Sequence, residues 1–510
     1  MNQILLFLSL FVFGLLFGSL FRRHLPVELR CATAFLWGSL YWVVSALFFL
    51  SLSIPYTLVN MLLSFGVALI LILLSLARDK SWKITKKELI WTLSSITAFV
   101  LILFAATTWN FSTGTMDSIS KIMYGKSLAY DGITSFNQSS FGSMGSFAII
   151  MQSISVLIRD DYVFLVAPSF AYSLLMIFLL LGKQILFPVT KNWLPITLLT
   201  FLFLMSTYFM RFQIFYIHDN LIVGTFLITS LASFWLSMRE NNPYWLIFGS
   251  LGLLGFSLAR IENPIFSIFF LAIVLYTQKV PKKYQLFTFI PFLSLNILWY
   301  IRIFMTLDAE GRLLKTGNTL LTIGAMLGFG LYIYLSWKSN WIEANITPRI
   351  DSLMLASLIS ALLFFIIQQP AHTISNISII ARNFYVDGLW GVTSIVSTFF
   401  LILIPIPDSN NKEDRIFSLS IIVFLLLMVL VGGLRSPYRL GWSDSANRMM
   451  VHIMPTVFLY IIVKYRNLLE ASQLQINELT QTRRFQATII GAFILIIALI
   501  PLIGFNLLYN

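Results

Sequence analysis

Long apolar runs separated by short polar interruptions occupy nearly the whole chain. A run of about 17 to 25 apolar residues is long enough for a helix to cross a bilayer. The hydrophobic pattern therefore predicts an all-α polytopic membrane protein with about 14 to 16 transmembrane helices. The candidate spans lie near residues 3–21, 32–52, 57–77, 89–109, 162–182, 194–210, 221–238, 244–259, 264–278, 284–305, 318–337, 352–368, 389–406, 416–434, 449–465 and 486–506.

The composition agrees with the hydrophobic pattern. Hydrophobic residues make up 58% of the chain and charged residues only 11%, whereas a soluble domain has roughly 25% charged residues. This balance excludes an ordinary soluble protein. The single cysteine, Cys31, excludes a disulfide within the chain and a cluster of thiolate metal ligands.

The positive net charge of +13 would suggest a nucleic-acid partner in a soluble protein. In a membrane protein it must first be compared with topology. If the N-terminus lies outside, 22 of the 34 Lys and Arg residues fall on one side and the other 12 on the opposite side. The richer side is then cytoplasmic by the positive-inside rule. Most of the charge therefore reflects orientation, and no nucleic-acid partner is expected.

The predicted outer side has three long polar segments, at 110–161, 369–388 and 435–448. Long loops held by a rigid helical frame are where binding and catalysis usually reside. The apolar run 145–158 within the first loop is too short to cross and predicts a helix lying at the outer interface. The chain then divides into three parts: additional N-terminal helices at 1–88, a core at 89–465, and a cytoplasmic connector with a last helix at 466–510.

Two outer-side aspartates stand next to predicted helix starts. Asp117 lies shortly after the end of the span near 89–109, and Asp219 lies at the start of the span near 221–238. Either carboxylate could simply cap a helix, because Asp is a preferred N-cap residue. A carboxylate fixed at a helix start is also well placed to act as a general base or to bind a metal ion. The sequence alone leaves both interpretations open.

Arg260 and Glu262 lie between two short apolar segments. Ionisable groups at such positions are costly and usually face a cavity or a charged partner. A polar turn between two helices is the simpler alternative.

A polar cluster at 438–455 lies where the span near 449–465 enters the bilayer. Its Arg448 and His452 are four residues apart and so share one helix face. A cation and an imidazole on that face, with Arg439 nearby, are able to hold a phosphate at the membrane surface. The alternatives are an arginine that extends to the interface and a histidine that packs against its neighbours.

Four motifs occur in a fixed order along this side of the membrane. The first is an early outer-loop Asp followed by aromatic and basic residues (Asp117, then Tyr124, Lys126 and Tyr130), and the second is an aromatic-x-x-Asp (Tyr216 to Asp219). The third is a cation–carboxylate pair (Arg260 and Glu262), and the fourth is an Asp-x-x-x-Arg followed by Pro (Asp444, Arg448 and Pro455). This order resembles the polyprenyl-phosphate-dependent membrane glycosyltransferases of the C-type (GT-C) fold. That broad group contains protein O-mannosyltransferases and lipid A aminoarabinose transferases. The resemblance covers about residues 89 to 465.

The resemblance implies a GT-C-like helical bundle in a membrane, here a bacterial cytoplasmic (inner) membrane, with its active site on the outer face. It implies inverting transfer of a sugar from a polyprenyl-phosphate donor to a glycan, lipid or protein acceptor. Asp117 would be the catalytic base. Arg448, Arg439 and His452 would bind the donor phosphate.

The remaining motif residues have less specific roles under the same resemblance. Asp219, Arg260 and Glu262 would shape the site or hold a divalent cation, if one is used. Expected partners are the lipid-linked sugar donor, the acceptor and membrane lipids.

Two other classes of function remain open from the sequence. A lipid-linked glycan polymerase or an O-antigen-ligase-like enzyme would also have many spans and long outer loops. In such an enzyme His372 could be the base and Arg382 its partner. A multi-span transporter or flippase is the non-enzymatic alternative, although alternating access favours polar groups near the membrane midplane rather than at one face.

Overall fold

The computed structural model describes a protein built from α-helices. The described residues are 2–78, 84–109, 111, 115–132, 145–277, 289–290, 292–301, 313–403, 413–434 and 438–476. We number the helices in chain order. They are α1 (Asn2–Ser19), α2 (Val27–Ala32), α3 (Ala34–Ser51), α4 (Leu58–Arg78), α5 (Lys86–Ala106), α6 (Met116–Asp131), α7 (Phe147–Ile158), α8 (Val166–Leu186), α9 (Trp193–Met205), α10 (Tyr208–Phe212), α11 (Asn220–Arg239), α12 (Tyr244–Ala259), α13 (Asn263–Thr277), α14 (Phe292–Ile301), α15 (Leu313–Lys338), α16 (Asn340–Asn345), α17 (Ile350–Gln368), α18 (Pro370–Arg382), α19 (Val392–Leu403), α20 (Arg415–Leu434) and α21 (Ser445–Ile476).

Nine helices among the described residues are long and apolar enough to cross a membrane. The helix α18 with its π-helical extension is bent by 116° relative to α19. If the two helices count as one broken span, they form a tenth span. The predicted all-α, polytopic membrane architecture is confirmed. The described full-length spans are fewer than the expected 14 to 16. One reason is that helices of 13 to 16 residues such as α9, α12 and α13 extend only about 20–24 Å, less than the bilayer core. The candidate span near 486–506 lies outside the described residues.

The two ends of the bundle are identified by contacts between distant parts of the chain. The Gln3 amide donates to the Tyr162 carbonyl at 2.8 Å, so the chain begins beside the segment that follows α7. At the other end of α1, Arg22 and Arg30 both pair with Glu88 at the start of α5. We call these two ends the N-terminal face and the opposite face.

Successive crossings place all the predicted site residues on the N-terminal face. The start of α6, the connection before α11, the turn between α12 and α13, and the start of α21 lie there. The helix α18 lies there as well, because the His372 imidazole is 3.1 Å from the Gly432 carbonyl near the end of α20. The common sidedness expected from the sequence therefore agrees with the fold.

The centre of the bundle is formed by α11 and α21, whose spans are each 94% buried. In contrast, α4 and α5 bury only 11% and 22% of their spans and so present apolar side chains to lipid. The fully buried Trp235 of α11 donates its indole N–H to Asp414 at 2.9 Å, which fixes α11 against the start of α20. Because α11 and α21 are held rigidly side by side, residues at their N-terminal ends have defined positions.

The helix expected at the outer interface is instead enclosed by protein. Ten of the twelve residues of α7 are buried, and α7 packs against α6, α3 and α12. Gly125 of α6 permits this contact, because a Cβ at that position would lie 2.7 Å from the Gln152 side chain. The apolar run was therefore correctly read as a helix, but its partners are other helices rather than lipid. The buried α7 in turn fixes α6 to the bundle.

Candidate functional site

The start of α6 places one carboxylate at the edge of the N-terminal face. Thr115 is the N-cap of α6, and its hydroxyl accepts a hydrogen bond from the Ser118 amide at 3.2 Å. Asp117 therefore lies in the first helical turn without capping it, so the capping interpretation of this residue was wrong. A carboxylate in the first turn is favoured by the helix dipole. Its side chain is 46% exposed and is accessible to a ligand.

Arg448, in the first turn of α21, forms an ion pair with Asp117 through Nη1 and Oδ2. The Tyr216 hydroxyl donates to the same carboxylate oxygen at 3.3 Å. The His218 Nε2 atom lies 3.3 Å from Arg448 Nη1 and 3.9 Å from Asp117 Oδ2. Three segments distant in sequence thus converge on one carboxylate. We call Asp117, Tyr216, His218 and Arg448 the central cluster.

The histidine of the central cluster is neutral. Burial lowers the pKa of His218 well below its usual range, and the nearby positive charges of Arg448, Lys121 and Arg260 lower it further. Its side chain is 8% exposed, and its Nδ1 atom has no hydrogen-bond partner within the described part of the chain. A neutral imidazole beside Arg448 offers a polar contact without electrostatic repulsion of the guanidinium group.

A second ion pair lies beneath the central cluster. Lys121, one turn after Asp117 on α6, contacts Asp219 at 2.5 Å, and both side chains are almost fully buried. The other Asp219 oxygen accepts from the Ala148 amide of α7 at 3.2 Å. Burial raises the pKa of Asp219, and the Lys121 ammonium opposes that rise.

Asp219 occupies the N-cap position of α11, but its side chain makes no capping hydrogen bond. The capping interpretation was therefore wrong for Asp219 as well. Its contacts join α6, α7 and α11 instead. Such a buried pair is costly to break, because the remaining charge would have no partner.

The turn between α12 and α13 contains the third ion pair. Arg260 contacts Glu262 at 2.8 Å, and both side chains are largely buried. The turn packs closely on Gly145, where φ is +81° and a Cβ would lie 2.1 Å from the Ala259 carbonyl oxygen. Only glycine fits at that position. Arg260 is close enough to influence the pKa values of His218 and Asp219, so this pair belongs to the same polar region.

The three ion pairs have a common consequence. Within the described residues, each of the three cations Arg448, Lys121 and Arg260 has a carboxylate partner. An incoming anion must therefore share or displace a carboxylate. The pair that is partly exposed is Asp117–Arg448, because the Lys121–Asp219 and Arg260–Glu262 pairs are buried.

His452 and Arg439 lie in different environments on either side of Arg448. His452 is one turn further along α21, is fully buried, and its Nε2 lies 3.4 Å from the Asn220 side-chain oxygen. Arg439 is exposed in the loop before α21, where its backbone amide donates to Asp444 at 2.8 Å. His452 therefore packs between helices, whereas the Arg439 side chain is exposed.

The alternative pair, His372 and Arg382, lies on α18. His372 is next to the Gly432 carbonyl, as described above, and Arg382 pairs with Asp387 at 3.2 Å. In the described part of the chain neither residue makes a hydrogen bond or an ion pair with Asp117 or Arg448. The structure therefore brings Asp117, Asp219, Arg260 and Arg448 into one polar region.

Two residues of the polar region received no role from the sequence. Lys121 lies four residues after Asp117, so a helix starting near Asp117 would place both on one face. His218 precedes Asp219 directly, but nothing in the sequence indicates that its ring would meet Arg448, which is 230 positions away. Only the fold reveals that contact.

The residues described provide no group of three or more His, Cys, Asp and Glu side chains able to hold a metal ion. The carboxylates expected to hold a divalent cation, Asp219 and Glu262, have cationic partners instead. Comparisons with protein-family models, with curated proteins and with solved structures find no significant match for this chain. Any functional assignment must therefore rest on the geometry of this site and on the order of its motifs.

Proposed function

We propose that this chain is an inverting membrane glycosyltransferase that transfers a sugar from a polyprenyl-phosphate donor to an acceptor on the outer face of a bacterial cytoplasmic membrane. The observation that carries the proposal is the Asp117–Arg448 ion pair at the rim of the bundle. It joins a partly exposed carboxylate to the group best suited to bind a phosphate. Both functions required by the reaction, a base and an anion site, then lie within one contact distance.

Arg448 would bind the donor phosphate. A guanidinium has five N–H donors in a planar fork that matches phosphate geometry. In the described structure, Nη1 of Arg448 contacts Asp117 and His218, and Nε has no hydrogen-bond partner. The phosphate would take over part of the guanidinium from Asp117. The exposed Arg439 would add a second positive charge at the entrance.

Donor binding would then release Asp117 to act as a base. The acceptor hydroxyl attacks the anomeric carbon as Asp117 takes its proton, and a new carbon–oxygen bond forms at that carbon. The bond between the anomeric carbon and the phosphate oxygen breaks, and the electron pair leaves with the polyprenyl phosphate. A single displacement inverts the configuration at the anomeric carbon. Tyr216 and the neutral His218 would hold Asp117 and Arg448 in position during the exchange.

The buried ion pairs give this mechanism a rigid frame. Lys121–Asp219 fixes α6 to α7 and α11, and Arg260–Glu262 fixes the adjoining turn. Rigid placement of reacting groups lowers the entropic part of the barrier. We assign these four residues to shaping the site and assign no metal ion to the reaction.

The proposal is tested by donor consumption. The purified chain in lipid nanodiscs would receive a mixture of polyprenyl-phosphate sugars and an acceptor extract, and mass spectrometry would measure released polyprenyl phosphate. We expect release with the wild type and with His372→Ala, and none above background with Asp117→Asn. Loss of release in His372→Ala with full activity in Asp117→Asn would instead support the ligase-like alternative.

A further inference from the structure

Three aromatic side chains form a partly exposed surface next to the central cluster. Tyr208 and Phe212 of α10 have nearly parallel rings, with 14° between the ring planes and 6.2 Å between the centroids. Trp442, in the loop before α21, meets Phe212 edge to face at 5.5 Å. Tyr208 is 60% exposed and Trp442 is 38% exposed, so both rings are accessible to a ligand. We call Tyr208, Phe212 and Trp442 the aromatic platform.

Buried neighbours hold the two parts of the aromatic platform in place. On α10, the buried Phe209 packs its ring against the almost fully buried Trp390 at 5.4 Å. The Asn447 side chain of α21 accepts a hydrogen bond from the Trp390 indole and donates to the Trp442 carbonyl at 3.1 Å. One amide side chain therefore links α10, through Trp390, and the loop that carries Trp442 to the start of α21.

The aromatic platform is continuous with the central cluster. The Phe212 ring lies 5.0 Å from the Tyr216 ring, and the Tyr216 hydroxyl donates to Asp117. Two ring contacts therefore lead from Trp442 to the residue that holds the proposed base. A molecule of a few rings that rests on Trp442 and Phe212 can place one of its hydroxyls at Asp117.

The chemistry of this surface favours a saccharide over a hydrocarbon chain. The C–H groups on one face of a sugar ring carry partial positive charge, so they are attracted to the negative face of an aromatic ring. The hydroxyls of the sugar need polar partners at the same time. The loop that carries Trp442 has exposed Arg439 and Ser443, and the indole N–H is a further donor. A hydrocarbon chain would match the rings but not these polar neighbours.

We propose that the aromatic platform binds a saccharide, which is the acceptor in the reaction proposed above. Its identification as the acceptor rests on the proposed function, whereas the binding of a saccharide does not. The platform leads to Asp117, where the acceptor hydroxyl reacts. The donor sugar must instead stay attached to the phosphate at Arg448. Among glycan, lipid and protein acceptors, the platform therefore selects a glycan.

Saccharide binding is tested in the absence of any donor. The full chain in detergent would be applied to an array of bacterial cell-envelope oligosaccharides, and the tightest binder would be titrated. Trp442→Ala should weaken binding about tenfold, as expected for the loss of an aromatic contact. Trp442→Phe keeps a ring and should retain most of the affinity.

Trp341→Ala is the matched control, because Trp341 is a 66% exposed tryptophan at the opposite face. Its binding should equal that of the wild type. If Trp442→Ala lowers the melting temperature, Tyr208→Ala, which removes the most exposed ring of the platform, provides the same test. No binding by the wild type, or equal weakening by Trp442→Ala and Trp341→Ala, would overturn the proposal.

Turnover then identifies the role of the saccharide. With the bound oligosaccharide as acceptor in the polyprenyl-phosphate release assay, Trp442→Ala should raise the acceptor KM about tenfold and leave the donor KM unchanged. A rise in the donor KM instead would overturn the assignment, because the platform would then hold the donor sugar. Binding that depends on Trp442, without any transfer by the wild type, would refute the proposed function and support the platform as a saccharide site.

Discussion

Asp117→Asn separates the base of the proposed reaction from the arrangement that holds it. Thr115 caps α6, so the substitution leaves the helix start intact. Asn has nearly the same shape, and its amide oxygen can still accept from Tyr216 and Arg448. The negative charge and the ability to take a proton are lost.

The expected effect differs between the rate and donor binding. A positioned general base contributes about 10²- to 10⁴-fold in rate, which corresponds to about 3 to 5 kcal/mol of transition-state stabilisation. The transfer rate should therefore fall by that factor. Donor affinity should stay the same or increase, because Asp117 no longer competes with the phosphate for Arg448. The two effects have opposite directions, which distinguishes a base from a residue that merely supports the fold.

The assay measures both quantities on the same preparation. Single-turnover release of polyprenyl phosphate gives the transfer rate, and equilibrium binding of polyprenyl phosphate in nanodiscs gives the affinity. Asp131→Asn is the matched control, since Asp131 is an exposed carboxylate at the far end of the same helix. If Asp117→Asn weakens lipid binding as strongly as it slows transfer, Asp117 only positions Arg448 and the assigned base is wrong.

Four further experiments test the donor site, the buried ion pair, the histidine and the orientation. Arg448→Lys keeps the charge but loses the planar fork, so polyprenyl-phosphate affinity in nanodiscs should fall by about 1 to 3 kcal/mol; unchanged affinity would move the phosphate site elsewhere. Lys121→Met leaves its carboxylate partner buried and unpaired, so chemical denaturation should show a loss of about 3 to 5 kcal/mol, and a neutral result would refute the structural importance of the pair. Folding lowers the pKa of His218, so the unfolded chain binds an extra proton below about pH 6.5. The free energy of unfolding should therefore fall by at most about 1.4 kcal/mol for each pH unit below that value, and melting curves should show a shallower pH dependence for His218→Gln. In a background without the native cysteine, an impermeant maleimide applied to intact cells should label Tyr130→Cys at the N-terminal face and not Trp341→Cys at the opposite face; the reverse pattern would place the site in the cytoplasm.

The sequence predicted the membrane class and the helical architecture for identifiable physical reasons, whereas the orientation of the candidate site toward the outer face stays a prediction. Apolar runs of bilayer length have few alternatives to helix, because no water is present to satisfy an open backbone. Basic residues are distributed by the positive-inside rule. These constraints act on each segment separately, so they can be recognised without knowing which segments touch.

Partners of individual side chains were not predictable in the same way. Asp117 and Asp219 both precede helix-like runs, and local rules allowed capping as well as a functional role for each. In the structure, Thr115 performs that role for α6, and Asp219 pairs with Lys121 instead. The deciding contacts are long-range: Arg448 reaches Asp117 across 331 positions of sequence. The enclosure of α7 has the same origin, since an apolar helix packs equally well against lipid or against other helices.

A cryo-electron-microscopy structure of the chain in a nanodisc with bound polyprenyl phosphate would test directly whether Arg448 binds the donor phosphate. We expect phosphate density within hydrogen-bond distance of the Arg448 guanidinium at the N-terminal face, with Asp117 turned away from that arginine and the lipid tail passing between helices. Phosphate density beside His372 and Arg382, with the Asp117–Arg448 pair unchanged, would contradict it.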